Sequence, residues 1–317
     1  MSTFSFSAFW LVIWSFTLST AFASDRFDNL CGWIRSTPGE ARTVYMRHDG
    51  EWRTYRLYVP ESYQPNAPLV VDFHGQSSSS IAQVGTSCWK EFANREGVVV
   101  AYPQALSIPS TWDAGDFCCN PRGHDDEGFA LHLVQCLMDE EKSKLKLDPA
   151  RVYAAGLSNG AAMAGKLACD HSDVFAGAQL ASQSFPYTST EECRATDEIG
   201  WQKPAFPIVE VRGKWDFIVP YYISLGWSLT ARTSLKRWAG ANRCEGEPQI
   251  SDVCDQPGAG PKCERGQATC ATYDNCEGGV AVTQCSVADD HLVYVNPQRF
   301  NLCDAAWDQF QRFPGRR

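Results

Sequence analysis

The sequence has no phosphate-binding loop, no dinucleotide-binding glycine fingerprint and no C-x-x-C pair, so nothing in its 317 residues points to nucleotide, flavin or zinc chemistry. No cofactor and no metal is implied. Positive charge is also short. The 28 lysines and arginines face 37 aspartates and glutamates, and the net −9 argues against nucleic acid or an anionic membrane surface as a partner. Beyond the first two dozen residues no apolar run is long enough to span a bilayer. Linkers, internal repeats and charge blocks are missing too, so residues 24–317 are expected to form a single large α/β domain.

Residues 1–23 carry no charged side chain, hold the apolar run Ala8-Phe9-Trp10-Leu11-Val12-Ile13-Trp14, and close on Ala21-Phe22-Ala23, a small-x-small pattern. They read as a secretory signal peptide, which makes the mature chain a secreted, extracellular protein with no membrane segment. All fourteen cysteines follow this leader. An even number in an oxidising compartment reads as a disulfide framework. Cys118 and Cys119 are adjacent and are expected to bond to different partners. Residues 244–285, rich in Gly, Pro and Asp, hold six of the cysteines and read as a stapled insertion in the same domain.

The chemistry concentrates at Gly156-Leu157-Ser158-Asn159-Gly160, which fits G-x-S-x-G. It follows the apolar run Val152-Tyr153-Ala154-Ala155 and continues through Ala161, Ala162, Met163, Ala164 and Leu167 as a helix would. A serine so placed sits on a tight strand-to-helix turn, with glycines allowing close chain approach and the hydroxyl standing above the sheet. Its partners should follow in the order acid, then histidine. Of His48, His74, His124, His132, His171 and His291, only the last two lie after Ser158. His171 ends the elbow helix and points away, which leaves His291, in the loop after an expected strand at 280–284.

Asp216 lies in the loop after the expected strand at 207–211 and is the expected acid. Asp289 and Asp290 are too close in sequence to His291 to orient its far nitrogen. In such a set the neutral imidazole takes the serine proton while the aspartate holds the tautomer and stabilises the imidazolium. The backbone N–H groups of Asn159 and of Gln76, after the strand at 69–73 and His74-Gly75, are the expected oxyanion donors.

Strand candidates at 54–59, 69–73, 98–101, 152–155, 177–181, 208–211 and 280–284 alternate with helical stretches at 81–95, 126–142 and 304–313. This predicts an α/β fold, a mostly parallel sheet with helices on both faces. Trp307, Phe310 and Phe313 share one face of the last helix and read as core. Asp125 and Asp126 read as first-turn carboxylates of a helix. Among eleven tryptophans, Trp112 is expected to wall a substrate slot and Trp215, directly before Asp216, to bound the acyl pocket.

The residues Phe73-His74-Gly75, Ala101-Tyr102-Pro103, Trp112 with Gly115 and Cys118-Cys119, Asp125-Asp126-Glu127-Gly128-Phe129, the serine elbow and residues 213–220 together resemble the feruloyl esterase and polyhydroxybutyrate depolymerase group of secreted α/β-hydrolases. The resemblance extends over about 53–313 and implies a serine carboxylesterase acting on feruloyl (hydroxycinnamoyl) esters of plant cell-wall polysaccharide. Polyhydroxybutyrate depolymerase and acetyl xylan esterase are the alternatives, and a catalytically silent glycan-binding protein is the reading from another class. The sequence departs from this group at two places. Asp289-Asp290 stands where the group carries paired glycines before the histidine, with Leu292-Val293-Tyr294 in place of a following tryptophan-proline pair. Trp215 stands where a small residue precedes the acid.

Overall fold

The computed structural model describes residues 29–115, 123–187, 190, 192–194, 203–295 and 297–313. The leader read at 1–23 and the pair Cys118-Cys119 lie outside them. In chain order the strands are β1 (Ala41–His48), β2 (Glu51–Tyr58), β3 (Ala67–Phe73), β4 (Val99–Pro103), β5 (Leu147–Leu157), β6 (Ala178–Ala181), β7 (Ile208–Gly213), β8 (Gln249–Asp252), β9 (Thr269–Tyr273) and β10 (Val282–Val287). The helices are α1 (Ser80–Thr86), α2 (Trp89–Glu96), α3 (Asp126–Met138), α4 (Glu140–Ser143), α5 (Asn159–Asp170), α6 (Ala231–Ala241) and α7 (Leu302–Arg312).

One sheet takes all ten strands in the order β1-β2-β4-β3-β5-β6-β7-β10-β9-β8. The six central strands, β4 to β10, run parallel, and an antiparallel pair extends each edge. Side chains alternate between the two faces, as the strand period requires. Leu69, Val71 and Phe73 of β3 join Phe129, Met163 and Trp238 of α3, α5 and α6 in one core, while Val70 joins Trp89, Phe92, Trp307 and Phe310 of α2 and α7 in the other. The expected α/β architecture with helices on both faces is therefore present. Trp307 and Phe310 are core as expected, and Tyr153 stacks flat on Phe310 at 4.3 Å. Full burial of such a side chain stabilises the fold by about 1.5–3 kcal/mol.

Several boundaries differ from expectation for local reasons. The stretch at 81–95 is two helices, broken where Ser87 and Cys88 turn the chain and Cys88 is tied to Cys303. The stretch at 126–142 breaks at Asp139, whose carboxylate accepts from the N–H groups of Glu141 and Lys142 and starts α4. Strands β1, β8 and β9 escape a period-two search because each lies at or near a sheet edge with an irregular pattern of exposure.

Among the described residues twelve cysteines form six disulfides, pairing 31–136, 88–303, 169–193, 244–276, 254–263 and 270–285. Three of these bonds lie wholly within residues 244–285, whose strands β8 and β9 extend the main sheet.

Candidate active site

Ser158 is the residue between β5 and α5, with φ 54° and ψ −123°, a conformation that costs a non-glycine residue about 1–3 kcal/mol. Two glycines make the turn possible. A Cβ on Gly156 would lie 2.4 Å from the backbone of Gly160, and one on Gly160 would lie 2.2 Å from Phe73 O and 2.4 Å from His74 O. The start of α5 is thereby pressed against the end of β3. The Ser158 N–H donates to Ala181 O at 2.8 Å, fixing the elbow to the end of β6.

The loop after β3 closes over this turn. A Cβ on Gly75 would come within 3.6 Å of Ser158 Cβ. His74, fully buried, rivets the loop: its Nδ1 lies 2.7 Å from Gly75 O and its Nε2 accepts the Ala105 N–H at 3.2 Å. Since a carbonyl only accepts and an amide only donates, these bonds assign the neutral Nδ1–H tautomer. Burial, which pushes this imidazole's pKa down, agrees. Ser77 and Ser78 spend their N–H groups on Ser110 O and Gly75 O, whereas Gln76 stands exposed beside the serine turn. Asn159, as first residue of α5, has an N–H that the helix itself cannot satisfy.

Trp112 requires a correction. Expected as a substrate wall, it is fully buried. Its indole N–H donates to His74 O at 2.9 Å, its ring meets Phe73 edge-on at 5.2 Å, and its backbone N–H and C=O are both held by the Asn159 side chain, at 2.7 and 3.0 Å. Every polar group of Trp112 is satisfied internally and no ring face is left for a ligand. It supports the loop after β3 from beneath. Trp215, by contrast, is 60% exposed.

Asp216 and His291 meet. Asp216 Oδ2 accepts from His291 Nδ1 at 2.7 Å, and Oδ1 accepts from the N–H groups of Ile218 and Val219, both at 2.8 Å. The carboxylate is buried. Strand register explains why distant residues converge here. Leu157, Ala181, Val211 and Cys285 lie level across β5, β6, β7 and β10, so Ser158, Asp216 and His291 all emerge at the same sheet edge. The histidine loop is laced to the acid loop by Lys214 N–H to Val287 O at 2.9 Å and Trp215 N–H to Asp289 O at 3.1 Å.

A Cβ on Gly213 would lie 2.0 Å from Asp290 O, so this glycine admits the histidine loop. Asp289 and Asp290 spend their carboxylates locally, on the N–H groups of Asp290 and Leu292. His171 is at the far end of α5, its Nε2 2.5 Å from Glu127 Oε1. Asp125 caps α3 by accepting the Gly128 N–H at 2.8 Å. Asp126 does more than its expected first-turn role, pairing with buried Arg53 at 2.5 Å.

Sequence reasoning missed two buried polar groups beside the site. On one face of the sheet Glu210 and Arg212 pair beneath the acid loop. Their signal was present: two opposite charges two apart in an otherwise apolar strand share one face. On the other face Asp72, fully buried, accepts from Gln83 Nε2 at 2.8 Å, and burial lifts its pKa from 3.8 to about 7. The unfolded chain ionises this group near pH 4 and the folded chain only near 7. Its stabilising contribution is therefore complete below pH 4 and is lost as pH rises to about 7. Asp72→Asn should remove that slope, so that denaturant titrations show the variant gaining on wild type from pH 4 to 7. A constant difference across the interval would refute the assignment.

Residues 53–197 match the family described as Esterase PHB depolymerase. The match holds Gly75, Gln76, Ser158 and Asn159, while Asp216 and His291 lie beyond it. The chain is 31% identical over 233 residues to feruloyl esterase B of Piromyces equi, covering 70% of this chain and 38% of that protein. It is 36% identical over 127 residues to poly(3-hydroxyalkanoate) depolymerase C of Paucimonas lemoignei, covering 38% of this chain and 29% of that protein. The chain thus spans about a third of the length of the curated relatives it matches. An acetyl xylan esterase from Aspergillus awamori shares the fold at a TM-score of 0.56 with 16% identity, over 75% of this chain and 89% of that one.

Proposed function

We propose that this chain, whose residues 53–197 match the Esterase PHB depolymerase family, is a secreted serine carboxylesterase that cleaves feruloyl-type esters of plant cell-wall polysaccharide through an acyl-enzyme. The observation that carries the reading is the 2.7 Å bond from His291 Nδ1 to Asp216, at the sheet edge where Ser158 occupies its strained turn. With Nδ1–H committed to Asp216, Nε2 takes the hydroxyl proton as Ser158 Oγ attacks the ester carbonyl carbon. The N–H groups of Asn159 and Gln76 take the charge that develops on the carbonyl oxygen. Collapse of the tetrahedral intermediate breaks the bond to the alcohol, which leaves with the proton from His291. Water, deprotonated by the same nitrogen, then attacks the acyl-serine and releases the acid.

One feature favours a second reading, a polyester depolymerase. Trp215, Phe217, Ile218, Tyr222, Ile223 and Trp227, in the loop that carries Asp216, range from 50% exposed at Trp227 to 91% at Phe217. Exposed apolar patches of this kind mark interaction sites. Substrate comparison separates the two. The feruloyl reading expects higher kcat/KM on methyl ferulate than on methyl butyrate. Trp215→Ala should lower the ferulate value by up to about tenfold, the size of one aromatic contact, and leave butyrate unchanged. Release of soluble hydroxybutyrate from polymer granules with no ferulate hydrolysis would replace the first reading by the second.

A further inference from the structure

Arg212 lies on β7 four residues before Asp216, fully buried on the face that α6 covers. Its Nη1 reaches Glu210 Oε1 at 3.3 Å, and its Nη2 donates to Val219 O at 3.1 Å and Pro220 O at 3.0 Å, with Leu229 O at 3.5 Å. Glu210 is held in turn by Ser234 Oγ at 2.6 Å and Gln284 Nε2 at 3.0 Å, and Gln284 donates to Ala231 O at 2.7 Å. The network therefore grips both the part of the loop just after Asp216 and its exit into α6. Between those grips Tyr222, Ile223, Ser224 and Trp227 are exposed, so packing does little to fix the backbone there. The backbone of Val219 joins the two systems: its N–H holds Asp216 Oδ1 at 2.8 Å while its C=O is held by Arg212.

We propose that Arg212 is a positioning residue, whose guanidinium sets the orientation of the Asp216–His291 pair through the backbone of Val219; the inference rests on the triad reading above. Stability alone does not account for the pair, because buried ion pairs are commonly replaceable by apolar residues with no loss of stability. A planar fork that holds Glu210 through Nη1 and the carbonyls of Val219 and Pro220 through Nη2 is, however, beyond the reach of a lysine ammonium.

The test uses the full chain carrying Arg212→Lys, with Glu210→Gln/Arg212→Met as a second variant that removes both charges together. Each is measured by thermal melting, by kcat and KM on a short-chain chromogenic ester, and by the downfield proton resonance of His291 Nδ1–H. Folded variants should lose about 10- to 100-fold in kcat, the scale of a misplaced catalytic group, with KM little changed. The resonance should shift or broaden. A folded variant with wild-type kcat and an unmoved resonance overturns the proposal. So does failure of both variants to fold, which would assign Arg212 to the fold as a whole. Ser158→Ala, run alongside, separates the two claims: activity surviving in it refutes the serine mechanism, whereas the resonance still reports on Arg212.

Discussion

Ser158→Ala should abolish turnover of a short-chain chromogenic ester, with kcat falling by about 10⁶-fold, and His291→Ala should cost nearly as much, because nucleophile and base act as one unit. The same serine should be the residue labelled by an organophosphonate. Asp216→Asn should cost less, about 10⁴-fold. Its amide oxygen can still accept the N–H groups of Ile218 and Val219, but its NH₂ would face His291 Nδ1 and force the proton onto Nε2, where it blocks proton transfer from serine. His171→Ala should leave the rate unchanged, since that imidazole is bonded to Glu127 at the opposite end of α5. A large loss at His171, or an active Ser158→Ala enzyme, would defeat the assignment.

The second large effect is oxidative. Removing one native disulfide costs about 2–5 kcal/mol, against a total stability of about 5–15 kcal/mol. Loss of all six described bonds should therefore leave little cooperative folding at 37 °C. Among them Cys88–Cys303 closes the longest separation, 215 residues, and joins α2 to α7. In a calorimeter, Cys88→Ala/Cys303→Ala should melt roughly 5–15 °C below wild type. Unreduced and fully reduced protein melting at the same temperature would show that the bonds constrain nothing. Intact-mass measurement after alkylation without reductant should find these twelve cysteines unmodified.

How far the site was legible depended on whether a residue's role is set by chain order or by remote packing. Ser158, Asp216 and His291 were readable because each follows a recognisable strand of a parallel sheet, and parallel strands deliver their following loops to one edge. The glycines at 156 and 160 were readable for a similar reason, as a strand-to-helix turn this tight leaves no room for side chains. Trp112 was not readable. A tryptophan in a loop looks the same whether it faces a ligand or the protein, and only pairing with Asn159, 47 residues away, decides. Arg212 lay between, its charge conspicuous in an apolar strand but its targets seven to seventeen residues downstream. The edge strands were missed because half-exposed strands keep no clean alternation.

The cysteine-rich segment also changes which strand terminates the sheet. Without β8 and β9 the outermost strand on that side would be β10, six buried residues that lead into the His291 loop. An open, apolar edge of that kind is a template for pairing with other chains. With the segment in place the terminal strand is β8, four residues reading Gln249-Ile250-Ser251-Asp252, none of them fully buried. Short, polar edges propagate aggregation poorly. Stapled onto the sheet by the Cys270–Cys285 bond between β9 and β10, the segment insulates the strand that leads into the His291 loop from intermolecular strand exchange.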